Sequence, residues 1–249
     1  MLKRPTIPTG HVVKGNVVRS DYQYETFNNL DTLKSGGKTK TLVQASNFPS
    51  LMLDLDFLPA ASEPYQISPN PKDYILVSLP IVTVGVPNRN LQAFTMEEVS
   101  YFDPVYGSLV YQTFNRKPCY VNHDNMDPKK ARGVIVDSAM EYVPKYDLWK
   151  IHIITLWDRT KDEKLVQSIL DSERSGYSMG ASVLAFVCSI CGKVDNMDAH
   201  SCTHMKNKGE VFGKDDRLGY QACSGTCFFE NSKVDDPADP TAFSSDIYK

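Results

Sequence analysis

Residues 74–86 read YILVSLPIVTVGV and are bounded by Pro87 and Asn88. A run so rich in β-branched residues, and closed by turn formers, suits a buried strand pair better than a helix. Three further segments carry alternating or continuous apolar patterns: RGVIVDSAM at 132–140, LWKIHIITLW at 148–157 and YSMGASVLAFV at 177–187. Their spacings are short enough for antiparallel connections, which implies a barrel or a sandwich. The fold class read from these segments is α+β, mainly β.

One helix is marked between the strands. Thr160 can cap it and Glu163 completes a T-x-x-E box. Leu165, Val166, Ile169 and Leu170 form one apolar face, and Gly176 can end it. A weaker helix is expected near Thr95, where TMEEV precedes the aromatic YFDPVYG. Upstream, residues 1–72 combine a strand-like HVVKGNVV, a flexible SGGKTK at 35–40, an apolar LMLDLDFLPA and the proline-punctuated SEPYQISPNP. They read as an N-terminal leader or arm, partly flexible, ahead of a main domain at 73–249.

The chain has 249 residues, 41% of them hydrophobic, enough to bury a sizeable core. Lysine and arginine number 27 against 30 acidic residues, for a net charge of -3. That balance gives no general attraction to phosphate backbones or anionic lipid, so neither nucleic acid nor membrane is an expected partner. No apolar run approaches the roughly 20 residues that span a bilayer, and MLKRPTIPTG lacks the apolar region of a secretory signal. A soluble, unexported protein is the expectation.

Five of the six cysteines crowd into residues 188–227. Cys188-x-x-Cys191-Gly is followed by Cys202-x-His204, so a knuckle turn offers two thiolates and a second pair can complete a tetrahedral shell. Zinc is the expected ion, with His200 as an alternative fourth ligand. Four protein ligands leave no open position, so the metal would be structural and catalysis would need none. The insertion that carries them spans about 188–206. Cys223 and Cys227 are spaced too loosely to join it and read as buried free thiols.

The second constellation joins Asn122-His123-Asp124 to Gly176-Tyr177-Ser178-Met179-Gly180. A serine becomes a good nucleophile when a histidine accepts its proton, and a glycine-containing turn leaves N–H groups free for an oxyanion. Neither half is diagnostic by itself. Ser182 is the rival nucleophile within SMGASV. His152, in KIHIITLW, reads as a strand position without catalytic duty.

Taken together, YGSLVYQTFNRKPCYVNHDNMDPKKARGVIVDS, SGYSMGASVLAFVCSICG, CTH and FFENSKVDDPADPTA resemble the prohead proteases of tailed bacteriophages over residues 74–249. They also resemble the herpesvirus assemblins, which carry histidine and serine in similar NHD and S-x-G contexts. The resemblance implies an assemblin-like β-barrel with surrounding helices, and a serine endopeptidase that matures the prohead. It places the nucleophile at Ser178 and the general base at His123. The third member falls on Glu230, in an acidic-x-Ser-x-Val stretch, ahead of its rivals Asp124 and Glu141. Scaffold protein, major capsid protein and the protease itself are the implied substrates. The prohead interior, reached from the host cytoplasm, is the implied location, and a homodimer is an implied form.

Two other readings compete. A zinc-stabilised module that binds nucleic acid or a partner protein would explain the knuckle with Lys206 and Lys208 nearby, but not the NHD and SMG pairing. A metal hydrolase built on His123, Asp124 and His152 lacks any ligand pair at helical or knuckle spacing.

Overall fold

The computed structural model describes residues 55–172, 175–195 and 202–248. HVVKGNVV, SGGKTK and His200 lie outside the described residues. The chain first forms α1 (Leu58–Tyr65), β1 (Tyr74–Thr83), β2 (Gln92–Ala93), α2 (Met96–Val99), β3 (Phe102–Asp103) and β4 (Ser108–Leu109). Next come β5 (Pro118–Val121), β6 (Gly133–Val143), β7 (Leu148–Asp158), α3 (Glu163–Asp171), β8 (Gly176–Ser182) and β9 (Ala185–Cys188). The remainder comprises β10 (Val194–Asp195), α4 (Thr203–Lys206), β11 (Val211–Phe212), β12 (Arg217–Leu218), β13 (Gln221–Ser224), β14 (Cys227–Val234) and β15 (Asp246–Tyr248). The fold is α+β and mainly β, and no described helix is long and apolar enough to cross a membrane.

A seven-stranded sheet runs in the order β15-β1-β7-β6-β5-β14-β8, antiparallel except where β5 and β14 pair in parallel. Its ladder is open, with β15 and β8 at the edges. The segment before β15 links those edges: Tyr177 N–H donates to Ala242 O, Ser244 N–H to Ser175 O and Ser245 N–H to Ser78 O. A four-stranded sheet, β10-β9-β13-β2, stands beside it, and β3–β4 and β11–β12 form separate hairpins.

Alternation along the strands makes two cores. Ile75, Val77, Leu79, Ile151, Ile153, Tyr177 and Phe228 pack inward with Val166 and Ile169 of α3. Leu76, Val134, Val136, Ile154 and Leu156 face the other way, under Leu55, Leu58 and Ile67. Residues 55–72, the end of the expected arm, therefore cover the second face of the sheet. Asp158, almost fully buried, holds them there by accepting from Ser68 N–H at 2.6 Å.

Three elements depart from the sequence reading. Residues 74–86 give one ten-residue strand, bulged between Pro80 and Val82, and not a strand pair. Residues 177–187 divide: β8 stays in the large sheet and β9 joins the small one. Helix α3 starts two residues later than the T-x-x-E box suggests. The Thr160 hydroxyl donates to Asp158, while the Asp162 carboxylate caps by accepting from Leu165 N–H at 3.0 Å. The helix ends at Asp171, and Gly176 instead opens β8.

Candidate active site and metal centre

Strands β8 and β14 lie side by side with Ser178 opposite Ser232 and Gly180 opposite Glu230. Paired residues share a face, so the side chains of Ser178, Ser232 and Glu230 occupy the face opposite Tyr177 and Phe228. A β-bulge between Phe228 and Glu230 makes this possible. Strict alternation would put Phe228 and Glu230 on one face. The extra residue, Phe229, reverses the phase, so Phe228 stays stacked on Phe114 at 4.2 Å while Glu230 turns to the serine face.

His123 reaches the same place from β5, the other neighbour of β14. After Val121 the chain makes a tight turn closed by Asp124 N–H donating to Val121 O at 3.1 Å. Both central residues are left-handed, Asn122 at φ 50° and His123 at φ 57°, a conformation that asparagine and histidine enter more readily than most residues. Asn122 N–H donates to Lys233 O at 3.0 Å, and His123 N–H donates to Ser232 Oγ at 3.2 Å. The turn is thus fastened to β14 at two successive amides.

Fixed in this way, His123 Nδ1 lies 2.7 Å from Glu230 Oε1. A carboxylate only accepts, so Nδ1 carries the hydrogen and the Nε2 lone pair is left for a substrate-side proton. Ser232 Oγ donates to the other carboxylate oxygen, Oε2, at 2.7 Å. Glu230 is 0% exposed, which removes competing water from both bonds. The bond to Glu230 raises the His123 pKa above the usual imidazole value, against burial, which lowers it. His123 and Ser178 line one cavity of about 200 Å³, together with residues of β8, β9, β2 and β13.

Gly180 explains the glycine of the S-x-G motif. A Cβ there would come within 2.5 Å of Glu230 Oε1, 2.7 Å of its Cγ and 2.8 Å of a Phe229 ring carbon. On a catalytic reading of this site, Gly180→Ala should push the carboxylate off His123 and lower kcat/KM by about 100-fold, the cost of a 1 Å misplacement. An unchanged melting temperature and circular dichroism spectrum alongside that loss would locate the defect in the carboxylate. Unchanged kcat/KM would count against this role for the glycine.

The rivals are occupied elsewhere. Asp124 pairs with Lys130 at 2.7 Å on the surface, and Glu141 pairs with His152 Nε2 at 2.7 Å. Burial pushes His152 down to about 4, so it stays neutral and donates to Glu141 as a strand residue. Ser182 lies exposed at the end of β8. His123, Asp124 and His152 form no metal-type group among the described residues. Ser232 has no assigned role in the sequence reading. Its signal is the two-residue spacing from Glu230, which puts both on one face of a strand.

The second cluster is Cys188, Cys191, Cys202 and His204, whose ligand atoms all lie within 4.8 Å of one another, so these residues could hold a metal ion. Cys188 ends β9. Ile190 N–H donates to its sulfur at 3.4 Å, and Gly192, at φ 70°, turns the chain so that its N–H donates to Cys188 O at 2.9 Å. Cys202 caps α4. Burial raises its pKa, but the Met205 N–H and the neighbouring Cys188 and Cys191 thiols bring it below the ordinary value. His204 Nδ1 is buried without a hydrogen-bond partner, and the ring stands edge-on to Phe212 at 4.9 Å. A buried lone pair beside three thiols fits a thiophilic cation. Cys223 and Cys227 are buried and free.

In comparisons with known proteins, no family model, no curated protein and no solved structure matches the chain.

Proposed function

We propose that the protein is a serine endopeptidase working through an acyl-enzyme on Ser178. The observation that carries this reading is the hydrogen-bonded chain from Ser232 through Glu230 to His123, which ends at a cavity shared with Ser178. In the proposed cycle Ser178 Oγ attacks the scissile carbonyl as His123 Nε2 takes its proton. His123 returns that proton to the leaving amine, then activates a water that releases the acyl group. Glu230 holds the tautomer and stabilises the imidazolium, and Ser232 keeps the second carboxylate oxygen satisfied.

The resemblance to prohead proteases supplies the proposed setting: scaffold protein, major capsid protein and the enzyme itself as substrates, inside the assembling prohead. The mainly β fold, with its sheet edges linked through residues 242–245, is compatible with the assemblin-like barrel that the resemblance implies. The test is incubation of the full chain alone and with purified scaffold and capsid proteins, followed on gels and by mass spectrometry. Discrete cuts support the proposal. Intact proteins after long incubation, with the fold and metal in place, favour the zinc-stabilised binding module.

The base must be neutral to accept a proton, and Glu230 raises the His123 pKa. We therefore expect kcat/KM to rise with pH through a single ionisation above about 6.5. The stability sign is opposite. The His123–Glu230 interaction contributes fully below the unfolded-state pKa of about 6.5 and fades as pH rises through the higher folded-state value. A pH–rate profile checks the first statement, and an ionisation below 6 would oppose it.

Zinc is the proposed occupant of the Cys3His cluster, where these residues would hold it as a structural ion that ties the turn after β9 to α4. Stripping it with a chelator should lower the melting temperature by about 5 °C or more and expose thiols to a colorimetric reagent, while turnover decays only as the region loosens. Instant inhibition that zinc reverses would speak against a structural role.

A further inference from the structure

The cavity beside Ser178 has both polar and apolar walls. Ser178 and His123 share it with the apolar side chains of Phe94, Met179, Val183 and Phe186 and with the Cys223 thiol. Phe186 and Cys223 are register partners on β9 and β13, so the small sheet supplies part of the apolar wall, while Met179 and Ala181 of β8 supply another part beside Ser178. Asn88, Asn90 and Gln92 form an uncharged rim. Asn88 Oδ1 is already committed to the Asn90 and Gln92 amides at 2.9 and 3.2 Å.

No ionised side chain lines this space among the described residues, His123 aside. Two cations near these polar residues already have partners. Arg89 pairs with Asp236, and Lys208 Nζ donates to Asn90 O and Gln221 Oε1. The Cys223 thiol is held uncharged, since burial pushes it up to about 12. The cavity has a volume of about 200 Å³. A branched or linear aliphatic side chain fits that space.

Resting on the protease reading, we propose that this cavity is the specificity subsite for a substrate residue flanking the cleaved bond, and that it selects an uncharged aliphatic side chain of leucine or methionine size. An ammonium or carboxylate entering it would lose its water without gaining a partner, whereas an aliphatic group gains the apolar walls. The recognised class is thus an extended peptide with an aliphatic anchor beside the scissile bond.

The experiment digests a proteome-derived peptide library with the full chain and reads the cut sites by mass spectrometry. Labelling of Ser178 by a fluorophosphonate is followed in parallel. We expect one position flanking the cut to favour Leu, Met, Ile or Val over Asp, Glu, Lys and Arg by about 100-fold or more. Val183→Asp should shift that same position towards Lys and Arg by at least ~10-fold relative to leucine. Cutting and labelling with a flat or charge-preferring profile would overturn the subsite and leave the protease reading standing. A Val183→Asp profile identical to wild type would also overturn the subsite. Absence of both cutting and labelling would overturn both.

Discussion

Alanine at Ser178 is expected to abolish the proposed cleavage of scaffold, capsid protein and the chain itself while leaving the fold unchanged. Ser178 Oγ is not a structural support: none of the hydrogen bonds that hold β8 to β14 uses it, and its partner across the ladder, Ser232, is committed to Glu230 and His123. Removing one hydroxyl from a nearly buried position leaves a small void, which costs little beside the loss of the only atom proposed to attack. In serine proteases such a removal lowers kcat by about 10⁶-fold. The readout is initial rate on a peptide substrate together with a thermal melt. Residual cleavage at wild-type rate would remove Ser178 from the mechanism and turn attention to exposed Ser182.

The second large effect is expected for Glu230→Gln, which preserves shape and burial and changes only what the two terminal atoms can do. Ser232 donates to one of them, so the amide is best satisfied with its oxygen towards Ser232 and its NH₂ towards His123. That orientation makes Nδ1 the acceptor and puts the hydrogen on Nε2, where it blocks proton uptake from the nucleophile. A comparable wrong-tautomer change in serine proteases costs about 10⁴-fold in kcat. The variant should also lose the upward pull on the His123 pKa, so the acid limb of its pH profile moves down. A merely structural carboxylate would lower stability without shifting that limb. Equal rates and limbs in both proteins would exclude Glu230 as the orienting group.

Much of this arrangement was legible in the sequence because it rests on short-range chemistry. β1, β6, β7 and β8 follow from apolar patterning, and the CxxCG turn follows from thiol spacing. Four features were not legible. The β14 bulge defeats any reading by period, since alternation counted from Phe228 would send Glu230 into the core and Asn231 to the serine face. The start of α3 depends on Asp158, which binds Thr160 while also gripping Ser68, a contact across 90 residues that no local window contains. The packing of residues 55–72 on the sheet was hidden for the same reason, because Leu58 finds its partners only after β6 and β7 exist. Ser232 was passed over because a serine in a strand has no individual signature until its neighbours across the ladder are known.

The strand that carries Ser178 is braced unequally. One flank has the full ladder with β14, whereas the other has only the few bonds to residues 242–244, which then cross to β1. Those last residues act as a latch between the nucleophile's strand and the rigid centre of the sheet. Tension applied beyond Tyr248 would load the β15–β1 pairing first, and only after that failed would it reach residues 242–244 and the flank of β8. On the proposed reading, unseating residues 242–244 would loosen the second flank of the strand that carries Ser178 while leaving its ladder with β14 intact.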